Sequence, residues 1–154
     1  MPSYKKTINH LIIKNISISV AESCTGGQLS KYFTDYPGIS KIFNMGLITY
    51  SNNAKSMLLN ISPAIIKKYG AVSEKVAFLM TKNLSKYSKS KLCIATTGIA
   101  GPDGGSKLKP IGLVYIGITF NKKSFVLKKK FIGNRKKIQK DTVLFCLKEI
   151  KKLI

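Results

Sequence analysis

Apolar positions in this chain switch between helical and extended spacing, and the switches predict the order of its elements. From Lys5 to Lys14, Ile8, Leu11 and Ile12 fall on one face, which predicts a first helix. Ile16 to Val20 reads as a short strand running into a small-residue turn, Ser23-Cys24-Thr25-Gly26-Gly27. A helix through Phe33 follows and stops before Pro37-Gly38. Asn44 to Tyr50 predicts a second strand, with a helix from Asn52 to Leu59 behind it. Ser62-Pro63 opens another short helix, because serine caps well and proline is tolerated at the first helical position.

Ser73 caps the next helix, with Glu74 in its first turn, where the helix dipole favours an acid. Val76, Met80, Leu84 and Tyr87 recur along it at helical spacing and predict a core stripe. Leu92 to Thr97 is a near-continuous apolar strand, followed by a glycine-dense loop from Gly98 to Gly112. Two further strands, Leu113 to Phe120 and Ser124 to Phe131, flank a hairpin at Asn121-Lys122-Lys123. A last helix starts near Asn134 and carries Val143, Leu147, Ile150 and Ile154 on one face. Strands alternating with helices predict one α/β domain over residues 1–154, a three-layer α/β/α sandwich with a mixed sheet.

Composition narrows the class. With 154 residues, 44% hydrophobic and 21% charged, the chain can bury one sizeable core and is not a disordered segment. No apolar run approaches the roughly 18 residues of a membrane helix. The longest candidate, Ile111 to Phe120, is short, glycine-broken and β-branched, and suits a buried strand. Lys14 and Asn15 interrupt the apolar stretch behind Lys5 and Lys6, so no signal peptide is expected. Cys24, Cys93 and Cys146 are widely spaced with no CxxC, and read as reduced thiols of a cytoplasmic protein.

The net charge of +21 favours polyanions through counterion release. However, only Arg135 among the 27 basic residues is arginine, and base readout prefers the planar arginine fork. Lysines are spread over every segment, although residues 122–154 hold 12 basic residues against Asp141 and Glu149. A solvated lysine-rich surface is therefore expected rather than specific nucleic-acid binding.

Two segments break the ordinary pattern, each just after a predicted strand, where ligands bind in open α/β sheets. In Ala21-Glu22-Ser23-Cys24-Thr25-Gly26-Gly27, small residues allow a sharp bend, and the next helix would aim free N–H groups at the same place. Ser23 or Cys24 would then stand as a nucleophile; a plain strand-to-helix turn reads equally well. Thr96 to Gly105 packs four glycines and a proline into residues 98–105, and such a loop can offer several N–H groups to an anion. It matches neither a Walker A loop nor GxGxxG.

A nucleophile needs a base. The single histidine, His10, lies in helical register among apolar residues and suits a Ser-His-Asp triad poorly. A lysine with a lowered pKa is the replacement, as in Ser-Lys hydrolases. Lys55 has the best context, in the polar helix start Asn52-Asn53-Ala54-Lys55, although a surface lysine fits the same spacing. One histidine and six scattered acids predict no metal site. Arg135, alone of its kind at a helix start, suits a phosphate or carboxylate.

At these residues the chain resembles the C-terminal domain of CinA-type competence/damage-inducible proteins. The matching motifs are Ala21 to Gly27, Thr34-Asp35 with Pro37-Gly38-Ile39-Ser40, Gly46 to Lys55, and Gly70-Ala71-Val72-Ser73-Glu74. Thr97 to Gly105, Lys109-Pro110-Ile111-Gly112 with Val114-Tyr115, and Gly133-Asn134-Arg135 complete them, in the family's order over almost the whole chain. The resemblance implies nicotinamide-nucleotide amidase activity, in which the carboxamide of nicotinamide mononucleotide becomes nicotinate mononucleotide and ammonia. It implies Ser23 as nucleophile and Lys55 as base, with Tyr50 and Glu22 as polar residues around them. Thr25, Gly26 and Gly27 would carry N–H groups for the oxyanion. Thr97 with the loop of Gly98, Gly101, Gly104 and Gly105 matches the substrate side, and Arg135 the residue that holds the phosphate.

Two departures remove negative charge: Asn134 stands where the family often has an acid, and Asn53 where it often has Glu. No metal or organic cofactor is implied, and the partners expected are a small nucleotide substrate and further copies of the chain, as a homodimer or larger homo-oligomer. The chain matches a stand-alone form without the pyrophosphatase-like domain of longer relatives. A non-catalytic nucleotide-binding module and a basic nucleic-acid-binding protein are the alternative readings.

Overall fold

The computed structural model describes residues 3–154. Strands β1 (Ile18–Glu22), β2 (Phe43–Ile48), β3 (Leu92–Gly98), β4 (Leu113–Phe120) and β5 (Lys123–Lys130) form one sheet in the order β2-β1-β3-β4-β5. β2, β1 and β3 are parallel, whereas β4 and β5 are antiparallel to their neighbours, so the sheet is mixed. Helices α1 (Ser3–Ile13), α2 (Gln28–Thr34) and α6 (Arg135–Leu153) cover one face. Helices α3 (Asn52–Leu59), α4 (Pro63–Tyr69) and α5 (Glu74–Ser88) cover the other, which completes the three layers.

Side-chain alternation along the central strands divides the core in two. Ile18, Val20, Leu92, Ile94, Val114, Ile116 and Ile118 face α2 and α6 and pack with Leu29, Phe33, Val143 and Leu147. On the opposite face, Ala21, Cys93 and Ala95 are small, and α5 lies close over them through Val76, Met80 and Leu84. The approach is tightest at Gly117, where an added Cβ would stand 2.3 Å from the Ala77 carbonyl oxygen. β4 needs a residue without a side chain there.

The structure moves several expected boundaries. β1 begins two residues late because Asn15 turns left-handed at φ 49° and the Ile16 N–H still bonds back to the Leu11 carbonyl. Ile16 thus belongs to the exit of α1, and the strand reaches Glu22 inside the turn motif. β2 ends at Ile48, because Ser51 turns out to cap α3 and the chain leaves the sheet to reach it. β5 starts and ends one residue early, with left-handed Asn121 and Lys122 forming the turn. Tyr87 corrects the expected core stripe: Val76, Met80 and Leu84 are fully buried, but Tyr87 is 69% exposed. It sits in the last turn of α5, where left-handed Lys89 ends the helix and the chain turns back towards β3.

The topology also fixes where a ligand can sit. From β1 the chain passes to β2 on one side, and from β2 it crosses back to β3 on the other. That reversal opens a crevice at the carboxyl ends of the parallel strands. Among the described residues no helix is long and apolar enough to cross a membrane.

Candidate active site

Ser23 is the first residue beyond β1, and its N–H still bonds to the Thr96 carbonyl of β3 at 3.0 Å. The side chain therefore points into the crevice from a backbone held by the sheet. Lys55 approaches from α3, whose start is set by Ser51, which accepts the Ala54 N–H at 3.0 Å. Lys55 is 1% exposed, and its amine donates to Ser23 Oγ at 3.0 Å and to the Thr49 carbonyl at 2.8 Å. The ion pairs among the described residues, Lys31–Asp35, Lys137–Asp141 and Lys152–Glu149, all lie elsewhere. Burial without a counter-charge holds the Lys55 amine below the ordinary lysine value, with Cys24 opposing weakly. A lysine biased towards its neutral form beside a serine hydroxyl can act as a base.

Glu22 has a different place from the one expected. Its carboxylate accepts the N–H groups of Gly27, Leu29 and Ser30 at 3.1, 2.9 and 2.7 Å, and the Ser30 hydroxyl at 2.7 Å. It is fully buried and caps α2, so the N–H groups expected to face a ligand are already taken. Gly26 donates its N–H to the Ser23 carbonyl at 3.1 Å. Two of the three expected oxyanion donors, Gly26 and Gly27, are thus engaged. The amide of Thr25 carries no backbone hydrogen bond but is buried away from the crevice, and that of Cys24, on the crevice wall, meets only its own thiol.

Cys24 belongs to the core, and burial pushes its thiol up to about 12, which removes the thiolate a nucleophile needs. His10 is exposed on α1 and does not line the crevice. Among the described residues no cluster of three or more His, Cys, Asp or Glu exists that could hold a metal ion.

The crevice has a volume of about 230 Å³. Of the expected residues, Ser23, Cys24, Tyr50, Lys55, Thr97, Gly98 and Arg135 line it. Thr25, Gly26, Gly27, Gly101, Gly104 and Gly105 do not. Thr25 instead ties its hydroxyl to that of Thr96 at 2.8 Å beneath the turn, and Gly105 lies against Ile111, leaving room for no Cβ. Thr97 donates its hydroxyl to the Ala71 carbonyl at 2.8 Å, and this bond draws Ala71 and Val72 into the wall. Asn52, Ala71, Val72 and Ala100 line the crevice without having been expected there. All four fall within the motifs Gly46 to Lys55, Gly70 to Glu74 and Thr97 to Gly105, but none of them was singled out.

Arg135 closes the mouth. Asn134 caps α6 by accepting the Lys137 N–H at 3.0 Å, which sets the arginine at the helix start. Asparagine caps as well as aspartate does, so the loss of the family's acid leaves this geometry intact. One arm of the guanidinium donates to the Gly101 carbonyl and the other to the Tyr50 hydroxyl, both at 2.7 Å. The fork so links the glycine loop to the end of β2 across the opening.

Known proteins are similar to this chain along nearly its whole length. The family model of the CinA C-terminal domain matches residues 2–154. A competence-damage inducible protein of Acetivibrio thermocellus is 47% identical over 134 residues, 87% of this chain and 32% of its own. One from Thermoanaerobacter pseudethanolicus is 42% identical over 151 residues, 97% of this chain and 37% of its own. The chain thus spans about a third of the length of these curated relatives. Among solved structures, a CinA superfamily protein of Escherichia coli superposes with a TM-score of 0.92 at 28% identity, covering 99% of this chain and 91% of that one. The competence/damage inducible protein CihA of Agrobacterium tumefaciens gives 0.91 at 31% identity, covering 97% and 94%. A match along essentially the full length, in sequence and in fold alike, places this chain in the CinA C-terminal domain family.

Proposed function

We infer that this domain hydrolyses the carboxamide of nicotinamide mononucleotide to nicotinate mononucleotide and ammonia. The observation that carries this reading is the buried, unpaired Lys55 amine 3.0 Å from Ser23 Oγ. Such an amine costs stability where it stands, and a Ser-Lys hydrolase gives it a task.

Ser23 Oγ attacks the carboxamide carbon while its proton passes to the neutral Lys55 amine. Negative charge gathers on the carbonyl oxygen and is met by the backbone amide of Cys24, which lines the crevice. Collapse of the tetrahedral intermediate breaks the C–N bond, and the Lys55 proton leaves with ammonia. Water, deprotonated by the same amine, then cleaves the Ser23 ester, releases the carboxylate and restores the hydroxyl. Arg135 keeps three of its five N–H groups free after its two protein bonds, enough to hold a nucleotide phosphate at the mouth. Tyr50 accepts from Arg135, so its own O–H is left to donate to substrate.

The test is release of ammonia from nicotinamide mononucleotide by the purified protein. Wild type should release it, and Ser23→Ala and Lys55→Ala should not. Nucleotide binding by wild type without ammonia would favour the non-catalytic module.

A further inference from the structure

At the opposite end of the sheet, five lysines surround one groove of about 730 Å³: Lys82, Lys86, Lys89, Lys91 and Lys122. Lys82, Lys86 and Lys89 follow one another along α5 and its cap at spacings of four and three, so they share one helix face. Lys91 enters β3, and Lys122 crosses over from the turn between β4 and β5. At the floor the hydroxyls of Thr119 and Ser124 pair at 2.7 Å.

No acid balances this cluster. Of the six acids in the chain, Glu22 caps α2, while Asp35, Asp141 and Glu149 pair with lysines outside the groove. Asp103 lies in the glycine loop after β3, and Glu74 opens α5, about 12 Å along the helix from Lys82. Like charges at helical spacing repel, and no acid of the described chain offsets them; only Lys82 has a partner of another kind, its amine lying 5.5 Å from the centre of the Phe78 ring. The groove begins where β3 starts, and the crevice of Ser23 lies where β3 ends, about 20 Å away by strand rise. One small anion cannot bridge the two.

We propose that this groove is a second ligand site, for a small polyphosphate anion: a chain of three or more linked phosphates, free or carried by a nucleoside. Its volume is that of a small-molecule pocket, and its concavity suits a compact ligand better than the convex backbone of a duplex. Lysine, a compact point charge on a flexible stem, suits several phosphates at once without selecting one orientation. The proposal does not depend on the chemistry assigned to Ser23.

Inorganic triphosphate is the probe, titrated into the full chain by calorimetry, with orthophosphate as comparison and ATP to separate the free from the nucleoside-borne form. Triphosphate should bind saturably with one site per chain, at least tenfold more tightly than orthophosphate, and should raise the melting temperature progressively with its concentration. Lys82→Glu/Lys86→Glu/Lys91→Glu avoids the left-handed positions of Lys89 and Lys122 and should weaken binding at least tenfold. Lys5→Glu/Lys6→Glu/Lys14→Glu makes the same change in net charge at exposed sites on and just after α1 and should leave it within about twofold. Equal loss in both variants would reduce the effect to diffuse charge and overturn the proposal. So would absence of saturable triphosphate binding, or a single-stranded oligonucleotide that binds more tightly than triphosphate and is lost with the groove variant alone.

Discussion

Lys55 Nζ stands 3.0 Å from Ser23 Oγ although the two residues come from different layers, one from the end of β1 and one from α3. The pair meets only because α3 packs its lysine inward over the crevice, with the Thr49 carbonyl as the second partner. If the pair is the reacting centre, Ser23→Ala and Lys55→Met should each lower kcat for ammonia release by about a thousandfold or more. Ser23→Ala should still bind nicotinamide mononucleotide in a calorimeter. Cys24→Ala should keep most of the rate, and its loss together with survival of Ser23→Ala would transfer the nucleophile to Cys24.

The lowered Lys55 pKa sets the pH profile. The base works only as neutral amine, so kcat/KM should rise with pH and level off at an apparent pKa below the ordinary 10.5. Stability follows the same sign. Between its folded value and 10.5 the unfolded chain binds more protons at Lys55, so wild-type stability gains from this group as pH rises through that window. Lys55→Met removes the dependence. Urea unfolding should find the variant favoured relative to wild type at pH 7, and the advantage should shrink as pH approaches 10.5.

Glu22 holds the turn rather than the substrate. Glu22→Gln puts an amide N–H against the N–H donors of α2 and should cost about 2 kcal/mol in urea unfolding. Its effect on activity should be a fall in kcat without a matching rise in KM, since Ser23 is displaced and Arg135 is not. A specific rise in KM alone would place Glu22 at the substrate instead.

Arg135→Ala should raise KM for nicotinamide mononucleotide at least tenfold, about 1.4 kcal/mol, with kcat much less affected. The same change should barely alter turnover of nicotinamide riboside, which lacks the phosphate. Steady-state kinetics on both substrates separate phosphate binding from the bridge Arg135 makes between Gly101 and Tyr50.

Gly117→Ala tests the close layer. Its methyl would meet the Ala77 carbonyl oxygen at 2.3 Å, so α5 must shift from β4. The cost should be about 2 kcal/mol in chemical denaturation, and a neutral result would mean that the layers are looser than this contact implies.

Much of this molecule can be read along the chain, and the reasons are local. α3 and β4 have the predicted bounds because Ser51 caps one and a β-branched apolar run makes the other. Boundaries slipped where backbone conformation decided them, at left-handed Asn15 and at the turn of Asn121 and Lys122. Tyr87 has the right spacing for the core and yet is exposed, because periodicity says nothing about how far a helix end follows the sheet. The site divides in the same way. Ser23, Tyr50, Thr97 and Arg135 carry recognisable motifs and do line one crevice. Asn52, Ala71 and Val72 have ordinary side chains; Asn52 is brought there by the start of α3, and Ala71 and Val72 by the loop that the Thr97 hydroxyl ties down.

By itself, then, the sequence determined the layered α/β order, the small-residue turn after β1 and the family likeness, since each rests on spacing within a short stretch of chain. Composition left open which of 26 lysines faces Ser23, although context and the family likeness pointed to Lys55, and it left open whether Glu22 faces the ligand or the backbone. Tertiary structure decided both. Burial, not position, lowers the affinity of Lys55 for its proton, and the start of α2 folds its N–H groups onto Glu22 before any ligand can use them. Those are properties of what surrounds a side chain, and neighbours distant in sequence supply them.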